Sequence, residues 1–305
     1  MAQLSQTKGV FMPDISINIM EEDFSQLFLM FIIYSFVGWI GEEIWCTVGT
    51  RKIVKRGMLH GPICPIYGFG ALGILFLVYP WRTTFVRLFL ASVIVTSLLE
   101  YFSSWLLERL FRAKWWDYSD EKFNLNGRIC LLNSVVFGLG GVALEHVMHP
   151  AVQYILAIPI VFQNTRTIAL ALASILTVDL LFTLRKLVDF TATMARFKLF
   201  GEQLRERFEG EEWFRPESLQ TMLASVKERA LTNKDMFSKK FLETIESYSK
   251  LQHSVVFWLK KFPSMSSTDF PAALEHMKTI VRESFADKRK AQKGQAAPQE
   301  HAPEA

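Results

Sequence analysis

Residues 38–70 read GWIGEEIWCTVGTRKIVKRGMLHGPICPIYGFG. An apolar run descends to two adjacent acids, Glu42 and Glu43. A short loop with Arg51, Lys52, Lys55 and Arg56 follows, and the chain turns at Gly61-Pro62 into a second apolar run, Ile63 to Tyr79. Carboxylates at the end of a lipid-facing helix are costly unless they reach water or a partner. Basic residues gathered in a short loop mark the cytoplasmic side of a membrane. The stretch therefore reads as two membrane helices joined on the inside, with a first candidate polar site near the turn.

The rest of the chain fits that reading. Of its 305 residues, 50% are hydrophobic and 21% charged, and 26 are Phe. The apolar residues gather before about residue 184 and the charge after it, which implies a membrane domain followed by a soluble tail. A net charge of +4 suits positive-inside loops, and no Lys/Arg block of the kind a nucleic-acid binder needs is present. The three cysteines, Cys46, Cys64 and Cys130, have no CxxC spacing and fall near predicted inner helix ends, so free thiols are expected rather than a disulfide or a metal site. No metal and no cofactor is expected. The first 23 residues lack a basic start followed by an apolar core and a cleavage site, so the first membrane helix is expected to act as its own insertion signal.

Five spans follow from apolar runs of about 20 residues. They cover about Phe24–Trp45, Gly61–Pro80, Thr84–Leu107, Ile129–Met148 and Thr167–Leu184. The fold class is an all-α integral membrane protein with its N-terminus outside and its C-terminus cytoplasmic. Bases cluster after helices one, three and five, while the opposite loops offer little beyond Lys8, Arg82 and Arg166. The glycines of helices two and four permit close helix approach. Residues 150–162, interrupted by Pro159, are too short to span and read as an outer interfacial or re-entrant piece. In the loop 108–128, Trp115, Trp116 and Tyr118 suit a headgroup belt. His146 and His149 share a helix face and could hold a metal, though a solvated helix end accounts for them as well.

Beyond the last span the pattern becomes amphipathic. Phe237, Phe241, Ile245, Tyr248, Leu251, Val255 and Leu259 recur at helix period. A second helix is expected across Pro216–Leu231 and a third near Pro271–Ala286. They form either a docking module or a small bundle that covers itself. The expected organisation is 1–23 outside, 24–190 transmembrane, 191–287 cytoplasmic helices, and 288–305 disordered because Gln, Ala, Pro, Glu and Lys dominate there.

Taken in order, GWIGEEIW (38–45), the basic loop, GPICPIYGFGA (61–71), LEYFSSWLLERLF (99–111), KWWDYS (114–119) and FNLNGRICLLNSVVFGLGG (123–141) resemble the ABC-transporter permeases of type IV, the CmpB-type bacterial membrane proteins. The resemblance covers about residues 24–190 and says nothing about the helical tail. It implies a multi-pass protein of the bacterial inner or plasma membrane and a separate ATP-binding partner. No catalytic residue carries over from it.

Glu42, Glu43, Glu100, Arg128, Asn133 and Asp179 all fall in the inner half of the predicted bilayer. Acids at such depth pair with one another or with a base, or line a wet cavity. They are the candidate polar site. A purely structural account would use them as internal salt bridges, Arg128 with Glu100 or Glu43, with Asn133 as interhelical glue.

Three readings follow. One is a permease-like transport component without its own ATPase, since no GxxxxGK[ST] sequence occurs. It would couple to a partner through the loops 47–60 and 108–128, and would dimerise or join a larger assembly. The second is an intramembrane enzyme acting on a lipid or lipid-linked substrate, although no HExxH, GxSxG or CxxC motif supports it. The third is a membrane scaffold or regulator working through its helical tail.

Overall fold

A computed structural model describes residues 23–50, 56–78, 84–233, 236–249 and 253–295. The predicted outer segment up to residue 22, Arg51, Lys52, Lys55, Arg82, Leu251 and residues 296–305 of the predicted disordered tail lie outside the described residues.

Helices make up the fold, and among the described residues the only β pairing is two isolated bridges, Lys114 with Ser266 and Leu125 with Ile129. α1 (Phe24–Thr50), α2 (Pro65–Leu77) and α3 (Phe85–Phe111) are followed by α4 (Leu131–Ala143), a π turn (Leu144–Met148) and α5 (His149–Leu156). α6 (Pro159–Phe208) leads into α7 (Leu219–Thr232), α8 (Lys239–Ser249), α9 (His253–Lys261) and α10 (Pro271–Gln295). Among the described residues, four stretches are long and apolar enough to cross a membrane: Phe24–Val48, Phe85–Phe111, Leu131–Leu156 and Pro159–Phe208.

The expected second span is shorter than its sequence suggests. α2 holds 13 residues, about 20 Å at 1.5 Å per residue, against a hydrocarbon core of about 30 Å. The preceding backbone has its hydrogen bonds elsewhere. The N–H of Cys64 donates to Ser35 O on α1 at 3.0 Å, and those of His60 and Gly61 donate to Asp179 on α6. Pro62 and Pro65 have no N–H to offer. Non-helical backbone at such depth is tolerated where protein covers it. The expected close approach of helix two is present: Gly68 lies against Ser35 and Phe31 of α1, where a Cβ would collide.

Residues 150–162 are not a separate piece. The π turn carries the fourth helix past Pro150 to Leu156, and α6 starts afresh at Pro159. The wider turn accommodates a proline that an α-helical ladder would not. His149 accepts from or donates to the Tyr34 hydroxyl at 2.7 Å, so this end of the span is packed on α1 rather than merely solvated.

Two apolar cores result. One joins Leu29, Met30 and Tyr34 of α1 with α2, α3, α5 and Ala169 of α6. The other is built on the far half of α6, where Leu187, Phe190, Met194, Phe197, Leu204 and Phe208 line one face. α7 to α10 close around that face, with Leu219, Leu223, Val226 and Ala230 buried as their spacing predicts. The expected long amphipathic helix is divided into α8 and α9. Trp115 sits in the second core, against Phe190, Trp258 and Phe262, so it is no part of a headgroup belt. The C-terminal helices thus form a bundle that covers itself, together with the loop after α3.

Candidate functional site

α3 buries Leu88, Ser92, Glu100, Ser104 and Phe111 along one stripe and exposes Ile94, Leu98, Phe102 and Trp105 on the other side. Helix period therefore turns Glu100 inward, and it is only 5% exposed. Its Oε1 accepts a hydrogen bond from the Tyr118 hydroxyl at 3.2 Å. Asn133 at the start of α4 approaches the same carboxyl, and Glu42 of α1 lies close enough for the two charges to act on one another. The Tyr67 hydroxyl of α2 donates to Glu42. Glu100 Oε2 is buried with no hydrogen bond among the described residues.

Tyr118 reaches Glu100 because of a tight reversal in its loop. Asn126 and Gly127 both have positive φ, 55° and 67°, the backbone that Asn-Gly supplies most readily. The turn is closed by Arg128 N–H to Leu125 O at 3.0 Å, and Tyr118 N–H donates to Gly127 O at 2.8 Å. Burial, with the Glu100 charge beside it, raises the Tyr118 phenol above its ordinary value of 10.0. It therefore remains a donor at any physiological pH.

The other predicted site residues sit apart from this group. Arg128 pairs with Glu108 at 2.7 Å and lies over the Tyr101 ring at 5.4 Å, not with Glu100 or Glu43. Glu43 is half-buried and near Lys261. Asp179 makes a second centre. Its Oδ1 accepts from His60 N–H at 2.9 Å and faces His60 Nδ1 at 3.1 Å, and its Oδ2 accepts from Gly61 N–H at 2.7 Å. Lys186 Nζ lies 2.6 Å from His60 Nε2. Thr183, one turn below Asp179, donates to it at 3.2 Å. Beside the contact of Asn133 with Glu100, a second polar contact ties the same two helices: Ser97 of α3 donates to Ser134 of α4 at 2.8 Å.

The Asp179 centre adjoins the C-terminal bundle. Lys261 Nζ donates to Gly57 O at 2.9 Å and Leu59 O at 2.7 Å, and sits 4.8 Å from the Phe257 ring centroid. Burial pushes its ammonium down to about 8. Arg56 donates to Lys261 O at 2.9 Å.

Sequence reasoning missed Tyr67, Tyr118, His60, Lys186 and Lys261. Tyr67 and His60 lie within the stretch that marks the fold, and a search for donors at the depth of the acids would have found Tyr67.

The family described as Putative ABC-transporter type IV matches residues 29–184. The chain belongs to this family. Comparison with curated proteins and with solved structures returns no match. The family's stretch ends at Leu184, just before α6 passes from exposed apolar residues to the buried face that begins at Leu187. It holds Glu42, Tyr67, Glu100, Tyr118, Asn133 and Asp179. This member of the Putative ABC-transporter type IV family thus carries the acids of both centres inside the family's own region, and Lys261 reaches the Asp179 centre from outside it. With its apolar helices it is a multi-pass membrane protein.

Proposed function

We propose that this chain is the permease-like membrane subunit of a transport system whose ATPase is a separate protein. In this reading Glu42, Tyr67, Glu100, Tyr118 and Asn133 form the polar site in the inner half of the bilayer, with the basic loop and the C-terminal bundle on the cytoplasmic side. The observation that carries it is Glu100. It is a carboxyl buried on the inward stripe of a spanning helix, with one oxygen held by Tyr118 and the other without a hydrogen bond among the described residues. Such a group inside a membrane marks a pathway or a binding site more often than a structural tie. Transport is the reading favoured by the donors on the two acids, Tyr67 on Glu42 and Tyr118 on Glu100.

The test is purification of the full-length protein from its native membrane in mild detergent. A stoichiometric ATP-binding subunit is expected to accompany it, and Glu100→Gln is expected to keep that complex while abolishing substrate movement. A protein that purifies alone would sink the permease reading. One observation favours a second reading, a regulator working through its C-terminal helices. The two loops suited to docking an ATPase are in contact with the chain's own bundle through Lys261 and Ser266.

A further inference from the structure

The segment between α9 and α10 touches both loops of the membrane part. Ser266 pairs with Lys114 in both directions, N–H to O at 3.0 Å and 2.8 Å. Its hydroxyl donates to Asp117 Oδ2 at 2.6 Å. Ser267 donates to Arg112 O at 2.6 Å, and Arg112 faces Asp269 at 3.3 Å. At the other end Lys261 holds the carbonyls of Gly57 and Leu59. Two of these contacts lie one residue from a group that holds an acid. Asp117 precedes Tyr118, the donor to Glu100. Leu59 precedes His60 and Gly61, whose N–H groups hold Asp179.

Burial alone would raise the Asp117 carboxyl, but hydrogen bonds from Ser119 and Ser266 outweigh it and hold it below its ordinary value. Asp117 therefore stays ionised as an acceptor at neutral pH, and charge-assisted bonds of this kind are the stronger ones.

We infer that the segment 261–269 is a gate on the polar site, seated by Lys261 on the loop 57–61 and by Ser266 on the loop 112–118, so that its release frees Asp179 and Glu100 together. This rests on the reading of the Glu42 and Glu100 group as the working site. Seated, the segment braces Asp117 next to Tyr118 and the Gly57 and Leu59 carbonyls next to the N–H groups on Asp179. Released, each loop keeps only its own contacts, Tyr118 on Gly127 and Gly61 on Asp179, and gains freedom to move. Whatever moves the bundle, a partner ATPase included, then acts on the site through nine residues.

Two buried thiols report on the two loops. Cys64 follows the 57–61 segment and Cys130 lies near Tyr118, and they are 9% and 2% exposed. The experiment measures modification of each by a hydrophilic maleimide in the full chain in nanodiscs, resolved by peptide mass spectrometry. In Lys261→Ala/Ser266→Ala both rates are expected to rise together by about tenfold or more, since bonds to charged groups are lost at both ends.

Lys114→Cys with Ser266→Cys supplies the opposite test. A directly hydrogen-bonded antiparallel pair has Cα atoms about 5.5 Å apart, within disulfide range. Oxidation is expected to slow both thiols below the wild-type rate, and reduction to restore it. Rates unchanged in the alanine variant, or only one thiol responding, would overturn the gate. If that variant loses its monodisperse peak, the cross-linked pair decides, and an unslowed rate overturns the proposal. The labelling uses neither substrate nor ATPase, so an absent ATP-binding subunit defeats the transport reading without touching this result.

Discussion

Glu100 and Tyr118 are 18 residues apart and meet through a single hydroxyl. Tyr118→Phe removes the donor and leaves a buried carboxyl without it, a change that costs about 1–3 kcal/mol. The expected result is a lower thermal midpoint in detergent, whereas Glu100→Gln retains a polar group and is expected to melt close to wild type while losing function. Equal stability of Tyr118→Phe and wild type would show that the bond carries no weight.

Lys261 makes a pH prediction. Its ordinary value is 10.5 and burial lowers it to about 8 in the folded chain. Between those values the unfolded chain holds the proton more readily, so stability rises with pH across that window. Below about 8 the cost of burying the charge is fully present. The thermal midpoint is expected to climb from pH 8 to 10 and to climb less in Lys261→Met. The place of Glu100 within a long apolar helix was legible from the sequence by counting residues along an apolar run. Its partner was not, because Tyr118 sits among tryptophans that look like an interfacial belt, and only the Asn126-Gly127 reversal brings it inward.

At the scale of elements, the tight seam is α1 on α2. A Cβ at Gly68 would approach the Phe31 carbonyl to 2.7 Å, and backbone cannot yield as a side chain does. Gly68→Leu is expected to destabilise by at least the about 1–3 kcal/mol typical of overpacking. Gly140→Ala, with nothing within 4 Å of its Cβ, is the matched control and is expected to be neutral or slightly stabilising. A thermal scan of both in one detergent decides the matter. Existence and type of the helices were readable from apolar runs and period. Their ends were not. α1 passes Glu43 and runs to Thr50, since Tyr67 supplies Glu42 with a donor inside the protein. α2 starts late because Asp179, 118 residues further on, takes the Gly61 N–H. The π turn leaves no periodic signal in a run as apolar as 129–162.

At the scale of the whole molecule, the two cores share α6. Cutting the chain after Phe208 would uncover Phe190, Met194, Phe197, Leu204 and Trp115, all of them now buried. The truncated protein is expected to aggregate on size exclusion rather than behave as a smaller stable unit. A monodisperse truncation would show that the membrane helices do not depend on the bundle. The change of composition near residue 184 announced a second region. That the loop after α3 would insert Trp115 into it could not be read, because the contact spans more than 140 residues to Trp258.

α6 runs 50 residues without a break, about 75 Å of continuous helix. Its first half presents apolar side chains outward and its second half is the spine of the bundle. A spanning helix changes its tilt when the bilayer around it thins or thickens. Here a tilt of about 5° would sweep the far end, some 30 Å beyond Lys186 at 1.5 Å per residue, through about 3 Å. That is the reach of one hydrogen bond. A change of bilayer thickness is therefore expected to move the Phe208 end of the bundle far more than the loops held beside Lys186, where Trp258 Nε1 donates to the Lys186 carbonyl at 3.4 Å.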